Sequence, residues 1–362
     1  MALRFTAMPA DTMPPPQNQS VVKADQEPGS TADAQLNACI SALSGLGGGT
    51  CDATGYGHST QIIAATVRTA PNVDLLMSTA TTFQPGSATV DMFSVAENSG
   101  MEGLTVDALE VNHYTGRVVK FIGNCLQSDR CYLRDFNLLN GTNGTNPQTG
   151  TAILLEASSG NNGLFFVDLG PGKITGFLNG IILRSTGVIG SGNAVNDTKV
   201  HNVTITNAVH CITLESHPGD VEGNTFDQVS CEAGGGNIAN ATGFVVRGQS
   251  GSKDKANLFI NGNIWDYGAG SVKQTSYLFD SASSVNWLQA NITAGSRDNS
   301  ADAGRNNQIW NLGFPLQIKQ VGIQQLEIAP KVGYTRYWLT TNGVANEVCL
   351  SNGESPGISP VC

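Results

Sequence analysis

Three short segments late in the chain carry carboxyl or amide groups at a regular spacing. Each segment has an amide residue, any residue, an aromatic residue and then Asp or Asn, at 224–227, 263–266 and 308–311. A weaker copy ends at Arg247. If successive copies lie on successive coils of a repeat, Asp227, Arg247 and Asp266 form one column, with about 4.8 Å between coils. Two carboxylates one or two coils apart would then have the separations of the acid pairs in glycosidases.

This column predicts cleavage or transfer of a glycosidic bond. We expect Glu232 or Asp266 to be the general acid and Asp227 to be the base or nucleophile. Arg247 would keep the neighbouring carboxylates ionised and contact a substrate hydroxyl or carboxylate, and Tyr267 would contact the substrate beside Asp266. The alternative is a structural Asp–Arg–Asp ladder on the protein surface.

A second acidic group, interrupted by Pro218-Gly219, reads as a loop inserted between coils. Inserted loops on one wall of a solenoid commonly form binding clefts. A histidine beside carboxylates can act as a general acid or base, and a solvated acidic turn is the alternative. Calcium is a further alternative, although no EF-hand sequence occurs, and we expect no metal or cofactor. The predicted substrate-binding residues of this group are Glu215, His217, Asp220 and Glu222.

The spacing of the aromatic position predicts the fold. Successive members of the series follow one another at steps of roughly 20 residues, a period typical of a solenoid, whose coils bury their apolar faces against their neighbours. The segments are short and β-rich and are bounded by Gly, Asn, Ser or Asp, so the sequence predicts an all-β solenoid. Asn at equivalent positions of stacked coils can form hydrogen-bonded ladders. The series consists of Phe226, Val246, Trp265, Trp287 and Trp310.

The tryptophans of this series have two interpretations. Trp265, Trp287 and Trp310 could form a stripe on which sugar rings stack, or they could fill the interior of the solenoid. In a regular strand, Trp265 and Asp266 face opposite sides. If Asp266 faces the substrate, Trp265 faces inward, so the sequence favours the core.

Charge limits the classes of partner. The chain has a formal net charge of −10, and only 13% of its residues are charged. An acidic protein is repelled by nucleic acids and anionic membrane surfaces, so we expect neither as a partner. A neutral polysaccharide or oligosaccharide fits better than a polyuronate.

The chain divides into three predicted regions. Residues 1–30 are rich in Pro, Gln and Ser and read as an extended or disordered leader, residues 31–345 as one solenoid domain, and residues 346–362 as a disulfide-tied tail. Pairing sequential neighbours among the eight cysteines gives short loops. Paired cysteines indicate an oxidising compartment, hence a secreted or periplasmic protein; buried free thiols are the alternative. The pairs would be 39–51, 125–131, 211–231 and 349–362.

The start of the predicted domain has its own signature. Residues 31–43 place Leu36, Cys39, Ile40 and Leu43 on one helical face, with Thr31 as a candidate N-cap. A Gly-Gly-Gly-Thr turn and two apolar strands follow. A helix at this point would close the open end of the solenoid against edge pairing.

This order resembles the pectate-lyase-like superfamily of right-handed parallel β-helices over about residues 31–320. The resemblance implies a single-stranded right-handed parallel β-helix with an N-terminal capping helix and a carbohydrate-active function. Glycoside hydrolases or transglycosylases, polysaccharide lyases and non-catalytic spike-like modules all remain open, and side-by-side association implies a homotrimer as one option. The polygalacturonase-like and pectate-lyase-like residue patterns are missing, and the basic residues that could serve a lyase are scattered: Lys120, Arg134, Arg184 and Arg247.

Overall fold

The computed structural model describes residues 20–111, 113–122, 124–126, 130–141, 149–158, 163–186, 193–233, 238–248, 254–267, 271–294, 298–312, 317–320, 328–331, 334–341 and 344–351. These residues contain one α-helix, α1 (Ala32–Gly45), and two 3-10 helices, Ala24–Gln26 and Thr54–Tyr56. The first strands are β1 (Val21–Lys23), β2 (Gly49–Asp52), β3 (Thr60–Ile63), β4 (Val67–Arg68), β5 (Val73–Leu76), β6 (Thr82–Pro85), β7 (Phe93–Val95), β8 (Gly100–Glu102), β9 (Thr105–Asp107), β10 (Arg117–Phe121), β11 (Tyr132–Arg134) and β12 (Phe136–Leu139).

The middle of the chain continues with β13 (Thr149–Ala157), β14 (Leu164–Phe165), β15 (Asp168–Leu169), β16 (Gly172–Thr175), β17 (Phe177–Ser185), β18 (Ala194–Asn196), β19 (Lys199–His201), β20 (Val203–Thr206), β21 (His210–Ser216), β22 (Asp220–Glu222), β23 (Thr225–Asp227) and β24 (Ser230–Glu232). The last strands are β25 (Thr242–Gly248), β26 (Asp254–Lys255), β27 (Leu258–Tyr267), β28 (Thr275–Phe279), β29 (Ser283–Ser284), β30 (Trp287–Ala294), β31 (Ala301–Asp302), β32 (Gln308–Asn311), β33 (Gln317–Gln320), β34 (Ile328–Lys331), β35 (Tyr334–Thr341) and β36 (Val344–Ser351).

The strands wind into a right-handed parallel β-helix, which confirms the predicted fold class. Sheet A has two parallel stacks, one through β15, β19 and β23 and the other through β16, β20 and β24, and the long strands β27 and β30 join them. Sheet B stacks nine strands from β4 to β31, and sheet C stacks β14, β18, β22, β26 and β29. Each coil therefore visits sheets C, A and B in turn.

The core lies between the three sheets. Alternate side chains of the sheet A strands fill it, whereas strands of sheet B such as β21 bury four consecutive residues. One aromatic cluster of the core consists of Phe226, Phe244, Phe259 and Phe279, whose contacting ring centroids lie 5.2–6.4 Å apart. All four rings are fully buried. Phenylalanines from sheets A and B, rather than the tryptophans, thus fill the interior.

The predicted constant repeat is wrong for most coils. Phe226 pairs with Phe259 and not with Val246, which lies in sheet B. Coils also differ in length. The sequence separation between the stacked Asn286 and Asn307 is smaller than that between the stacked Phe226 and Phe259. Since bends of different length separate the strands, a constant sequence period does not identify the residues that stack.

A ladder of buried asparagines closes the bend between sheets C and A, as the composition predicted. Asn224, Asn257, Asn286 and Asn307 stand above one another. The amide Nδ2 of each of the first three donates to the Oδ1 of the next asparagine at 2.9, 3.0 and 3.1 Å. The same Oδ1 also accepts from the backbone N–H of the asparagine in the preceding coil. The ladder therefore satisfies backbone groups that the bend leaves without strand partners.

The N-terminal end matches the helix prediction. Helix α1 buries Leu36, Cys39, Ile40 and Leu43. Residues 20–30, the end of the predicted extended or disordered leader, include β1, which pairs in parallel with β2, and the fully buried Ala24. Residues 1–19 lie outside the described residues.

The β-helix ends earlier than predicted. The last parallel pairing joins β30 to β32, and β33 then runs antiparallel to β32. Strands β34, β35 and β36 form an antiparallel sheet, so the predicted boundary at residue 345 is wrong.

Disulfides close three of the four predicted loops: Cys39–Cys51, Cys125–Cys131 and Cys211–Cys231. Cys211 lies in β21 of sheet B and Cys231 in β24 of sheet A, so this bridge joins two sheets rather than equivalent positions of two coils. The predicted 349–362 pair lies outside the residues whose side chains are described. In the described part of the chain, no helix is long and apolar enough to cross a membrane.

We expect Asn257→Ala to destabilise the fold strongly. The fully buried amide serves both neighbouring coils. Its loss leaves the Asn224 backbone N–H without its acceptor and removes one of the donors to Asn286 Oδ1, and an unpaired buried group costs roughly 1–3 kcal/mol. Urea unfolding measures the change, with Asn137→Ala, an exposed amide of β12, as the control. Equal midpoints for the two variants would contradict a stabilising ladder.

Candidate functional site

The outward side chains of sheet A bring the chemically active residues together. Strand alternation buries Leu169, Val200 and Phe226 and turns their neighbours outward. Asp168 of β15, Lys199 and His201 of β19, and Asp227 of β23 consequently share one surface, which we call the outer face of sheet A.

A hydrogen-bonded cluster of three residues lies on this face. Arg134 donates from Nε and Nη2 to Oδ2 of Asp168 at 3.0 and 2.7 Å. Oδ1 of Asp168 lies 3.0 Å from Nε2 of His201. The Arg134 guanidinium also lies 4.6 Å from the centroid of the Tyr132 ring. These bonds hold the Asp168 carboxylate, which is only 16% exposed, between a cation and an imidazole.

Asp227 lies in the next coil, directly beside His201. The two are register partners on β23 and β19. Asn261, in the following coil, donates from Nδ2 to Oδ1 of Asp227 at 3.0 Å. One carboxylate oxygen of Asp227 therefore remains for a ligand on the outer face.

Two tryptophans extend the same face toward the C-terminal end. Trp287 of β30 and Trp310 of β32 stack at 6.0 Å between ring centroids, with 17° between their planes. Trp287 and Trp265 are each 37% exposed and Trp310 is partly exposed. The prediction that the tryptophans fill the core is wrong. Leu288 and Ile309 are buried, so strand alternation turns Trp287 and Trp310 outward. After Trp265, the positive φ of 66° at Asp266 marks an irregularity of β27 where simple alternation does not apply.

The predicted column of Asp227, Arg247 and Asp266 does not form. Asp227 pairs with Ile260, well before Asp266 on the same strand, and Arg247 is in sheet B. Glu232 is on the outward side of β24, beside Trp265. Asp227 and Asp266 are therefore not a stacked carboxylate pair.

Tyr267 does not face a substrate on this surface. Its side chain is fully buried, and its hydroxyl donates to the carbonyl oxygen of Thr242 at 3.3 Å. Burial, with a smaller effect of Glu232, raises the pKa of Tyr267 far above its usual range. The prediction of substrate contact by Tyr267 is wrong for the described surface.

Glu215 and Arg247 belong to a different face. They are register partners on β21 and β25 in sheet B. Arg184 donates from Nε to Glu215 at 2.7 Å and lies 3.9 Å from Glu156, which pairs with Lys120 at 2.8 Å. We call this row the charge ladder of sheet B: Lys120, Glu156, Arg184, Glu215 and Arg247.

The remaining predicted residues lie at the bend from sheet B to sheet C. His217 is exposed in the turn after β21, and Asp220 and Glu222 are the ends of β22. Glu222 lies 3.6 Å from Lys255 of the next coil. Only residues 217–219 connect β21 to β22, so this segment is a short bend rather than an inserted loop.

The described residues contain no group of three or more His, Cys, Asp and Glu side chains arranged to hold a metal ion. Arg134 was noted from sequence only as a scattered cation, whereas Asp168 and His201 were missed. The signal for Arg134, His201 and Asp227 is a shared pattern of polar, apolar and polar residues in 132–134, 199–201 and 225–227. It becomes visible once the true coil lengths are known.

No protein-family model and no curated protein sequence matches the chain. Among solved structures, it is similar to a double mutant of the tailspike protein of E. coli bacteriophage HK620, at 12% identity and a TM-score of 0.40, covering 79% of this chain. A surface adhesin of Streptococcus pneumoniae matches at 10% identity and a TM-score of 0.34, over 92% of this chain and 100% of the adhesin. An exopolygalacturonase from Thermotoga maritima matches at 10% and 0.30, over 81% and 92%. The chain spans 63% of the tailspike length, and likenesses of this degree carry no information about activity.

The charge ladder of sheet B predicts a pH-dependent contribution to stability. Burial raises the pKa of Glu156, but the hydrogen bond and charge of Lys120, with Arg184 and Arg117, outweigh it and lower the pKa. The pair therefore stabilises the fold above the unfolded value of 4.5 and loses that contribution as the pH falls through the folded value.

Lys120→Met should raise the pKa of Glu156 and destabilise the fold by roughly 0.5–1 kcal/mol at neutral pH. Chemical denaturation at several pH values measures this difference, which should shrink in acid. Lys173→Met, at an exposed lysine of β16, is the matched control. A pH-independent difference would contradict the role of Glu156.

Proposed function

We propose that the protein binds a glycan along the outer face of sheet A and cleaves or transfers a glycosidic bond next to Asp227. The exposed stack of Trp287 and Trp310 carries this proposal, because it lies on the same face as Asp168, His201 and Asp227. Flat aromatic rings bind the apolar faces of sugars, and the nearby carboxyl groups can exchange protons with glycosidic oxygens.

The positions of the groups set the direction of the substrate. Asp227 pairs with Ile260, Ile260 with Gln289, and Gln289 with Trp310, so three coils, or about 14 Å, separate Asp227 from Trp310. A glycan that contacts both must run parallel to the axis of the β-helix. Glu232 and Trp265, on the second stack of sheet A, border the same face and are candidate contacts for a side branch.

The chemistry assigned to Asp227 follows from its surroundings. Asn261 holds one carboxylate oxygen, which orients the other toward the outer face. Asp266 no longer suits the role of its partner, because the register places Ile260 rather than Asp266 beside Asp227. We assign to Asp227 the exchange of a proton with the glycosidic oxygen.

A polysaccharide lyase is the second candidate function. It is favoured by one observation, the Asp168–His201 pair beside Lys199, since a lyase needs a base and a nearby cation. A non-catalytic glycan-binding module is a third outcome. The three disulfides support activity in an oxidising compartment, as in a secreted or periplasmic protein.

Trp287→Ala should weaken glycan binding about tenfold, which corresponds to about 1.4 kcal/mol. A panel of soluble polysaccharides, measured by calorimetry, identifies the ligand and then compares the variants. Leu178→Ala, on sheet B with the same 37% exposure, should bind like the wild type. Equal affinity of the wild type and both variants would show that the tryptophan stack does not bind the glycan.

Asp227→Asn should abolish turnover while the glycan still binds. New reducing ends without unsaturated products indicate hydrolysis, and ultraviolet-absorbing unsaturated products indicate a lyase. Asp197→Asn, an exposed side chain in the bend before β19, makes the same charge change off the outer face. Binding without any product from the wild type would favour the non-catalytic module instead.

A further inference from the structure

A bond-cleaving site on the outer face needs a group that takes a proton from the attacking water. We propose that His201 is this base, acting through Nδ1, and that Asp168 and Arg134 are positioning residues for it. The inference rests on the proposed function and adds one prediction to it: the anomeric configuration is inverted.

The hydrogen-bond partners of His201 define its neutral form. Nε2 lies 3.0 Å from Oδ1 of Asp168, and an ionised carboxylate only accepts, so Nε2 carries the hydrogen. Nδ1 lies 3.4 Å from Nδ2 of Asn202, and an amide nitrogen only donates, so Nδ1 is the acceptor. Both assignments come from the partners and agree on one tautomer. In this tautomer the single lone pair of Nδ1 accepts from the exposed Asn202 amide, so the attacking water must take the place of that amide.

Asp168 is built to hold the imidazole in this state. Nε and Nη2 of Arg134 both donate to Oδ2, whereas Oδ1 faces His201. When Nδ1 takes a proton, the imidazolium forms next to a carboxylate that is already ionised and oriented. The same logic underlies the orienting carboxylate of Ser-His-Asp triads, where it fixes the tautomer and stabilises the cation.

The charged groups around His201 come from every neighbouring strand of the stack. Arg134 and Asp168 lie in preceding coils, Lys199 on its own strand and Asp227 in the following coil. Arg134 neutralises Asp168 directly, whereas Lys199 and Asp227 bracket the imidazole from two sides. His201 is therefore surrounded by two cations and two carboxylates rather than by charges of one sign.

The side chains of His201 and Asp227 lean apart. His201 turns toward Asp168 in the preceding coil, and Asp227 toward Asn261 in the following one. Their functional groups thus diverge from a backbone spacing of about 4.8 Å, which leaves room for a water and a glycosidic bond. Wide separation of acid and base is typical of inverting glycosidases.

The step balances without a cofactor. His201 Nδ1 takes a proton from water while the water oxygen bonds to the anomeric carbon. The glycosidic bond breaks, and its oxygen leaves with the proton of the Asp227 carboxyl group. Exchange with solvent returns a proton to Asp227 and removes one from His201. Direct attack by water inverts the anomeric configuration.

Nitrogen-15 NMR of the imidazoles tests the arrangement without substrate. In the intact protein at alkaline pH, His201, assigned by its loss in His201→Gln, should be protonated on Nε2 and unprotonated on Nδ1. Asp168→Asn should loosen this preference and add an Nδ1-protonated fraction. A wild-type His201 protonated on Nδ1 would overturn the proposal, because no lone pair would face the water.

Turnover of the glycan found by the panel tests the role itself. His201→Ala should lower kcat at least about 100-fold, and added imidazole should restore part of it. Asp168→Asn should lower kcat more than it changes KM, while His58→Ala, at an exposed histidine, keeps the wild-type rate and ignores imidazole. Product NMR should show the inverted anomer.

The outcomes separate the two proposals. If the wild type cleaves a glycan and His201→Ala keeps its kcat, or the product retains its configuration, the base assignment fails and the proposed function stands. If no glycan is cleaved, the proposed function fails and the catalytic assignment fails with it.

Discussion

Parallel backbone hydrogen bonding between successive coils sets the position of every strand of the β-helix. Each bonded pair places one residue about 4.8 Å above its partner in the next coil, so the side chains of register partners form a column along the axis of the β-helix. The buried Phe226 and Phe259, the Asn224–Asn257 ladder and the surface pair of His201 and Asp227 all follow from the same register. A change of register by one residue would exchange the core with the outer face.

The same register explains how distant parts of the chain form one site. Arg134, Asp168 and His201 come from successive coils, yet they hydrogen-bond because β11, β15 and β19 stack. The strand alternation that buries Leu169 and Val200 turns Asp168 and His201 to the solvent. The core and the candidate site are therefore two sides of one sheet, and positioning the polar groups requires no additional element.

The bends are stabilised by side chains rather than by long loops. At the bend inside sheet A, single residues with positive φ turn the chain, namely Asp135, Asn202, Gln228 and Asn261. Two of them, Asn202 and Asn261, also contact His201 and Asp227. A residue chosen for its backbone conformation thereby orients a functional group, which ties the geometry of the site to that of the fold.

Local features of the sequence were enough to predict the fold class, the buried face of α1 and three cysteine pairs, and the abundance of Asn indicated that side-chain ladders could form. These follow from local alternation, helical periodicity and composition, which neighbouring residues decide. Which residues stack is set by the folded coils, because the coils differ in length and no local signal in the sequence measures that length. For this reason Arg247 lies in sheet B rather than beside Asp227, Trp287 lies on the surface rather than in the predicted core, and the candidate site includes Asp168 and His201.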